Sequence, residues 1–258
     1  MRIARFGREE FLNERFEYQP GEIVGCWEPL QGGKTHLLYQ MLDVAMTQQP
    51  HLRTVSMMPK SIDPATNAWA KRLSLQIIGD WPPPKRWLRE QPRGYVLWPP
   101  HLKPPATVEQ NRAQLAGVFR RCLSEQFRGG QSLTFADDVY LLAALLELNM
   151  DLEEFWTAGG GPKAGLWFSN QKPSGTQGGG AVSTFSYSAP THFIFGKDTD
   201  HRNQRRFAEI GGGVDPRLVA ETVQNLPMHR IKTAAGWKNI SEKLYIHKGG
   251  PWMAVIGL

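Results

Sequence analysis

Two short stretches hold residues whose types and spacing could do chemistry. The first is WEPLQGGKTHLL, residues 27–38, in which Gly33, Lys34 and Thr35 follow one another shortly after the apolar run EIVGCW. At a helix start of this kind, backbone N–H groups point inward and glycine lets the main chain approach an anion. A lysine then neutralises phosphate oxygens and a hydroxyl holds magnesium. Gln31, Gly32, Gly33, Lys34, Thr35 and His36 are therefore the expected nucleotide-binding residues. One fixed position departs from the pattern, because Glu28 stands where a first glycine belongs. At the exit of a strand such a side chain can turn away from the phosphates, whereas turned inward it would repel them. An ordinary helix start is the alternative reading of GGKT, and the second stretch bears on the choice.

That stretch is SLTFADD, residues 132–138. A nucleotide hydrolase needs one carboxylate at a strand end beside the phosphate loop to hold magnesium, and usually a second to orient the attacking water. Asp137 fits the first role, sharing the ion with Thr35, and Asp138 fits the second. The pair could also cap a helix beginning at Val139, and capping is compatible with catalysis. Aspartate at 138 is one methylene shorter than the glutamate common there, and a misplacement of about 1 Å can cost about a hundredfold in rate. Slow Mg²⁺-dependent hydrolysis of a nucleotide is the chemistry these residues predict.

The elements around them must supply a strand, a loop and a helix in that order. EIVGCWE (22–28) reads as a strand, and KTHLLYQMLDVAMTQ (34–48) as a helix with Leu37, Leu38, Met41, Leu42 and Ala45 on one face. RTVSMM (53–58), SLTFA (132–136), GLWFSN (165–170) and THFIFG (191–196) read as further strands. The Pro-rich region 79–105 is expected to be an insertion over the sheet edge, with GYVLW its one strand. Helices are predicted over 106–128, with Thr107 as N-cap, over DVYLLAALLELNM, and over DPRLVAETVQNL. KLYIHK and WMAVIGL suggest terminal strands. Strands alternating with helices predict an α/β fold with a mostly parallel sheet, in one domain spanning 1–258.

Composition narrows the classes. The 258 residues carry a net charge of +6, which favours an anionic partner, nucleic acid first. Cys26 and Cys122 show neither disulfide-framework nor metal-ligand spacing, which points to a reducing interior. VYLLAALLELNM is too short and interrupted to span a bilayer, and the charged N-terminus has no apolar leader, so no membrane partner and a cytoplasmic location are expected. The seven histidines form no H-E-x-x-H, and Ser174 lacks the preceding glycine of a nucleophile elbow.

Taken in order, PLQGGKT, SMMPKS, LTFADDVYLL, GLWFSNQKPSG and YSAPTHFIFGKDTDHRNQRRFAEIGG resemble the FtsK-HerA superfamily of P-loop ATPases over most of the chain. These are ring motors that pump DNA, among them genome-packaging ATPases and conjugation coupling proteins. SMMPKS departs from the family's acidic turn by having Met58 in place of the acid. The resemblance implies a RecA/FtsK-HerA-like P-loop NTPase fold. It makes Lys34 and Thr35 the phosphate and magnesium contacts, Asp137 the magnesium carboxylate, Asp138 the base and Gln171 the polar sensor of the γ-phosphate. Gln171 would gain that position at the end of a strand adjacent to the acidic one.

Where the family carries an arginine that reaches into a neighbouring subunit, this chain reads TAGGGPKAG. Lys163 is the cation there, and it lacks the bidentate fork of arginine. Arg202, Arg205 and Arg206 are further candidates for phosphate, intersubunit or nucleic-acid contact, or equally a solvated helix face, and Lys172 heads a loop that could touch nucleic acid. Core packing accounts better than base stacking for the nine tryptophans. The implied function is a Mg²⁺-dependent ATPase acting as a homo-oligomeric ring that moves double-stranded DNA. Packaging of a viral genome suits it best, with a portal or capsid vertex protein as docking partner, in the host cytoplasm or the virion. The alternative is a catalytically impaired nucleotide-binding assembly or adaptor protein on the same fold.

Overall fold

The computed structural model describes residues 3–29, 32–84, 92–171, 182–210, 213–233, 236–250 and 252–258. Gln31 and Lys172, both expected in functional roles, lie outside the described residues. In chain order the elements are β1 (Ala4–Phe6), α1 (Arg8–Glu10) with a π-helical continuation Phe11–Arg15, β2 (Val24–Trp27), α2 (Lys34–Gln48), β3 (Arg53–Met57) and α3 (Pro64–Arg72). Next come β4 (Leu75–Ile78), β5 (Gly94–Leu97), α4 (Val108–Gly129), β6 (Ser132–Ala136), a π-helical turn Leu141–Leu145, α5 (Asn149–Ala158) and β7 (Ala164–Asn170). The chain continues with α6 (Phe185–Ser188), β8 (His192–Phe195), α7 (His201–Ile210), α8 (Pro216–Asn225), β9 (Met228–Thr233), β10 (Gly236–Ser241), β11 (Lys243–His247) and β12 (Trp252–Ile256).

Ten strands form one sheet in the order β1-β12-β11-β8-β2-β7-β6-β3-β5-β4, and β9 and β10 pair as a separate hairpin. Every neighbouring pair in the large sheet is parallel except those of β11, which runs antiparallel to both β8 and β12. β2, β6, β7 and β8 are buried along their whole length, as a sheet covered on both faces requires. Side chains alternate between the faces. Val24, Phe135, Trp167 and Ile194 meet the α2 stripe of Leu37, Leu38, Met41 and Leu42, while Trp27, Phe168, Phe193 and Phe195 share the other core with Leu115, Phe119 and Leu123 of α4. This is the expected mostly parallel α/β sheet flanked by helices.

Local signals set several boundaries. α4 begins with a full capping box, in which the Thr107 hydroxyl accepts from the Gln110 amide and the Gln110 side chain accepts from the Thr107 amide. Asp215 caps α8, with Pro216 in its first turn. GYVLW gives β5 as expected, but β5 pairs between β3 and β4, so the region 79–105 supplies an internal strand of the sheet and is not an insertion over its edge. No helix among the described residues is long and apolar enough to cross a membrane.

Two further expectations need correction. β7 lies between β2 and β6, so the acidic strand is not the immediate neighbour of the loop strand. The continuous helix expected over DVYLLAALLELNM is also absent. Asp138 and Glu147 hold left-handed backbone at φ 66° and 55°, which breaks any regular α-helix at both ends. Between them a π-helical turn forms, and α5 starts afterwards at Asn149 and runs to Ala158, beyond the expected helix end.

Candidate nucleotide and magnesium site

The parallel strands β2, β3, β6 and β7 end at one edge of the sheet, where ligand crevices of α/β folds lie. β2 delivers the phosphate loop, whose Gly33 stands as N-cap of α2 with φ 96°. Glycine is required there twice over, since the left-handed backbone disfavours a side chain and a Cβ would stand 2.9 Å from Ile240 Cγ2. Lys34 and Thr35 then occupy the first turn of α2, with the helix N-terminus behind them.

β6 delivers the acids. The Thr35 hydroxyl donates to Asp137 at 3.2 Å (Oδ1) and 3.3 Å (Oδ2), so two side chains 102 positions apart meet at one point. Ser169 of β7, the intervening strand, ties the acids together: its hydroxyl donates to Asp137 Oδ1 at 2.8 Å and accepts the Asp138 amide at 3.1 Å. Gln171, directly after β7, lines the same cavity of about 950 Å³ as Lys34, Thr35, Asp137 and Asp138. His36 lines it too, packed edge-on against Trp69 at 4.9 Å.

Glu28 does not plug this space. Its carboxylate is buried behind the loop, where Oε1 accepts from Ser241 Oγ at 2.6 Å and Lys243 Nζ at 2.8 Å. The same ammonium donates to the Gly32 carbonyl at 2.8 Å, so a buried ion pair braces the loop from below. A Cβ at Gly32 or Gly196 would overlap the Glu28 side chain, which explains the glycines around it. Lys34 Nζ lies 3.3 Å from the Glu28 carbonyl oxygen, to which it donates.

The electrostatics follow from burial and crowding. Burial raises the Asp138 pKa; the Lys60 ammonium opposes that rise and the Asp137 charge adds to it. Lys60 stands 3.8 Å from each acid. Burial lowers the Lys243 pKa against the opposing pull of Glu28. His36 is also lowered, by burial first and then by the Arg8 and Arg72 charges.

These residues fit a magnesium nucleotide. A hydroxyl and a carboxylate in contact are hard oxygen donors of the kind Mg²⁺ selects, and the loop amides with Lys34 suit a polyphosphate. Other expected residues fall elsewhere. Lys163 is exposed at the start of β7, the opposite end from Gln171, and does not line the cavity. Arg202, Arg205 and Arg206 lie exposed along α7, also outside the cavity lining. Sequence reasoning did not assign Lys60, Arg8, Ile231, Lys238 or Ile240, all of which line the cavity. Lys60 had a usable signal, because it closely follows the end of a parallel strand and such ends converge. The hairpin residues had none.

The comparison with solved structures bears on this arrangement. B204, the DNA-packaging ATPase from Sulfolobus Turreted Icosahedral Virus, superposes with a TM-score of 0.59 at 11% identity, covering 92% of this chain and 98% of that one. The genome packaging NTPase B204 from Sulfolobus turreted icosahedral virus 2 gives 0.57 at 10% identity in complex with sulfate, covering 92% of this chain and 96% of that one. In complex with ATP-gammaS it gives 0.56 at 11% identity, covering 92% and 98%. The chain shares their fold. At such identity the likeness is one of fold, and it is the P-loop NTPase architecture that the resemblance implied. No protein-family model matches the sequence, and no curated protein matches it.

Proposed function

We propose that this chain is a Mg²⁺-dependent ATPase that works as a ring-forming DNA translocation motor, most suitably in packaging a viral genome. The observation that carries the reading is the contact of the Thr35 hydroxyl with the Asp137 carboxylate at 3.2 Å, inside a cavity that also holds Lys34, Asp138 and Gln171. Thr35 and Asp137 would hold the ion, which when bound supplies charge neutralisation on the phosphoryl oxygens. Lys34 moves from the Glu28 carbonyl to the phosphates, the loop amides orient them, Asp138 accepts a proton from water and Gln171 positions that water. The shared fold supports the reading, since the structural neighbours are named as genome packaging NTPases and one is a complex with ATP-gammaS.

The DNA and ring assignments extend this proposal. A net charge of +6 and the exposed Arg202, Arg205 and Arg206 suit a phosphate backbone, with Lys172 assigned the same role from the sequence. Lys163 would serve a neighbouring subunit, and a portal or capsid vertex protein would be the docking partner in host cytoplasm or virion. A second reading, a nucleotide-binding adaptor with impaired hydrolysis, is favoured by the short Asp138 side chain on left-handed backbone. ATP hydrolysis by the purified chain, with and without double-stranded DNA, separates the two. The motor gives a DNA-stimulated rate that Lys34→Ala lowers at least about a hundredfold. Nucleotide binding without turnover under either condition selects the adaptor.

A further inference from the structure

The opposite edge of the sheet, where β2 and β8 begin and β11 ends, carries a second cluster that nucleotide chemistry does not use. Strand register creates it. His192 of β8 pairs with Val24 of β2 on one side and with His247 of β11 on the other. Directly paired residues on adjacent strands project to the same face, and Glu22 precedes Val24 by two positions, which brings it to that face as well. Three donors from distant parts of the chain therefore meet: Glu22 Oε2 lies 3.1 Å from His192 Nε2, and the two imidazole centroids are 4.9 Å apart. One ligand atom from each of the three lies within 4.8 Å of the others.

We propose that Glu22, His192 and His247 form a binding site for a divalent transition-metal ion of the zinc class, separate from the magnesium site. Two imidazoles and a carboxylate are a donor set that zinc prefers. Ligand bonds near 2.0–2.1 Å place neighbouring donors about 3.3 Å apart in tetrahedral geometry. Glu22 and His192 already stand at that spacing. His247, half-buried at the end of β11, closes the remainder by side-chain torsion.

The supporting shell is built as metal sites require. The buried Tyr245 hydroxyl lies 2.7 Å from His192 Nδ1; with that nitrogen donating to it, the Nε2 lone pair is left toward Glu22 and His247. The Gln19 amide donates to Glu22 Oε2 at 2.7 Å and fixes the carboxylate. A cavity of about 210 Å³, lined by Arg15, Glu17, Glu22, Tyr245, His247 and Trp252 among others, gives room for a water as fourth ligand. A hydrogen-bond relay through Glu22, His192 and Tyr245 would leave His247 without a purpose; its ring has no hydrogen-bond partner among the described residues. Bound metal would clip the segment before β2 to β8 and β11.

The test is calorimetric titration of the chelator-stripped full chain with Zn²⁺, in buffer free of nucleotide and magnesium, together with its melting temperature. The expected result is uptake of one zinc per chain with a raised melting temperature. His247→Ala should weaken uptake at least about tenfold and abolish the thermal shift. Glu22→Gln, which keeps a hydrogen bond to His192, should do the same. Asp137→Asn, at the other edge, should leave zinc uptake unchanged. Absence of one-to-one uptake by the wild-type chain overturns the proposal, as does uptake that survives His247→Ala and Glu22→Gln or disappears in Asp137→Asn. Should His247→Ala lose its native circular dichroism, His247→Gln decides, because it fills similar space without the metal-binding ring nitrogen: weakened zinc uptake supports the site and unchanged uptake overturns it.

Discussion

Glu28 occupies a position where a phosphate loop ordinarily has glycine, and the fully buried Lys243 is what makes that tolerable. Breaking a buried pair by removing one partner costs about 3–5 kcal/mol, because the other charge is left without compensation. Restoring the usual residue should therefore harm the protein. Glu28→Gly is expected to destabilise the chain by about 3 kcal/mol in urea unfolding, and Lys243→Met by a similar amount. Glu28→Met should cost about 3 kcal/mol as well, and the double change Glu28→Met with Lys243→Met about 4 rather than the additive ~6 kcal/mol, a coupling energy of about 2 kcal/mol in a double-mutant cycle. Additive losses would show that the two side chains act separately. Sequence legibility divides along the same line. Lys34, Thr35, Asp137, Asp138 and Gln171 each follow a recognisable strand or open a recognisable helix, so local pattern finds them. The Glu28 partner lies 215 positions away, and only the folded sheet brings it beneath the loop.

At the level of elements, the hairpin of β9 and β10 is, like α3 and β4, a piece the sequence pattern does not announce, since MHRIKT and GWKNIS offer a weak alternation and mostly polar faces. It nonetheless closes one wall of the nucleotide cavity with Ile231, Lys238 and Ile240, and Ile240 packs over Gly33. Apolar contact from such a wall should add ground-state affinity without touching the reacting atoms. Replacing Ile231 and Ile240 together by alanine is expected to raise the Kd of a fluorescent ATP analogue about tenfold, some 1.4 kcal/mol. The thermal midpoint should change little, because both side chains are only partly buried. Unchanged affinity would remove the hairpin from nucleotide binding. The other elements show why some boundaries were readable. Capping at Thr107 and the Gly33 turn are local and were found. No glycine announces the left-handed backbone at Asp138 and Glu147, so the apolar period around 141–145 alone predicts one continuous helix. The interposition of β7 between β2 and β6 is likewise a choice of long-range pairing, which no strand's own sequence records.

For the whole molecule, the sheet has two working edges with different tasks. The carboxyl ends of β2, β3, β6 and β7 gather the proposed nucleotide residues, while Lys163 and the Glu22, His192 and His247 cluster sit at the other edge. The seven residues of β7 separate Lys163 from Gln171, a span of about 26 Å at 3.3 Å per residue step. Lys163 therefore cannot reach its own subunit's phosphates. If it acts at all in hydrolysis it acts on a neighbour, which demands a head-to-tail interface of the kind that closes rings. Lys163→Ala should then lower DNA-stimulated ATP turnover about a hundredfold while leaving nucleotide affinity intact, whereas Lys34→Ala loses phosphate binding itself. Mixing the two inactive variants in equal amounts is the decisive measurement. Wherever a Lys163→Ala subunit, with its intact phosphate loop, meets a Lys34→Ala neighbour that supplies the cation, one complete site forms, so about a quarter of the sites should recover in randomly mixed rings. A mixture that assembles on DNA and hydrolyses no faster than either variant alone would exclude Lys163 as the shared cation and direct the search to Arg202 and Arg205.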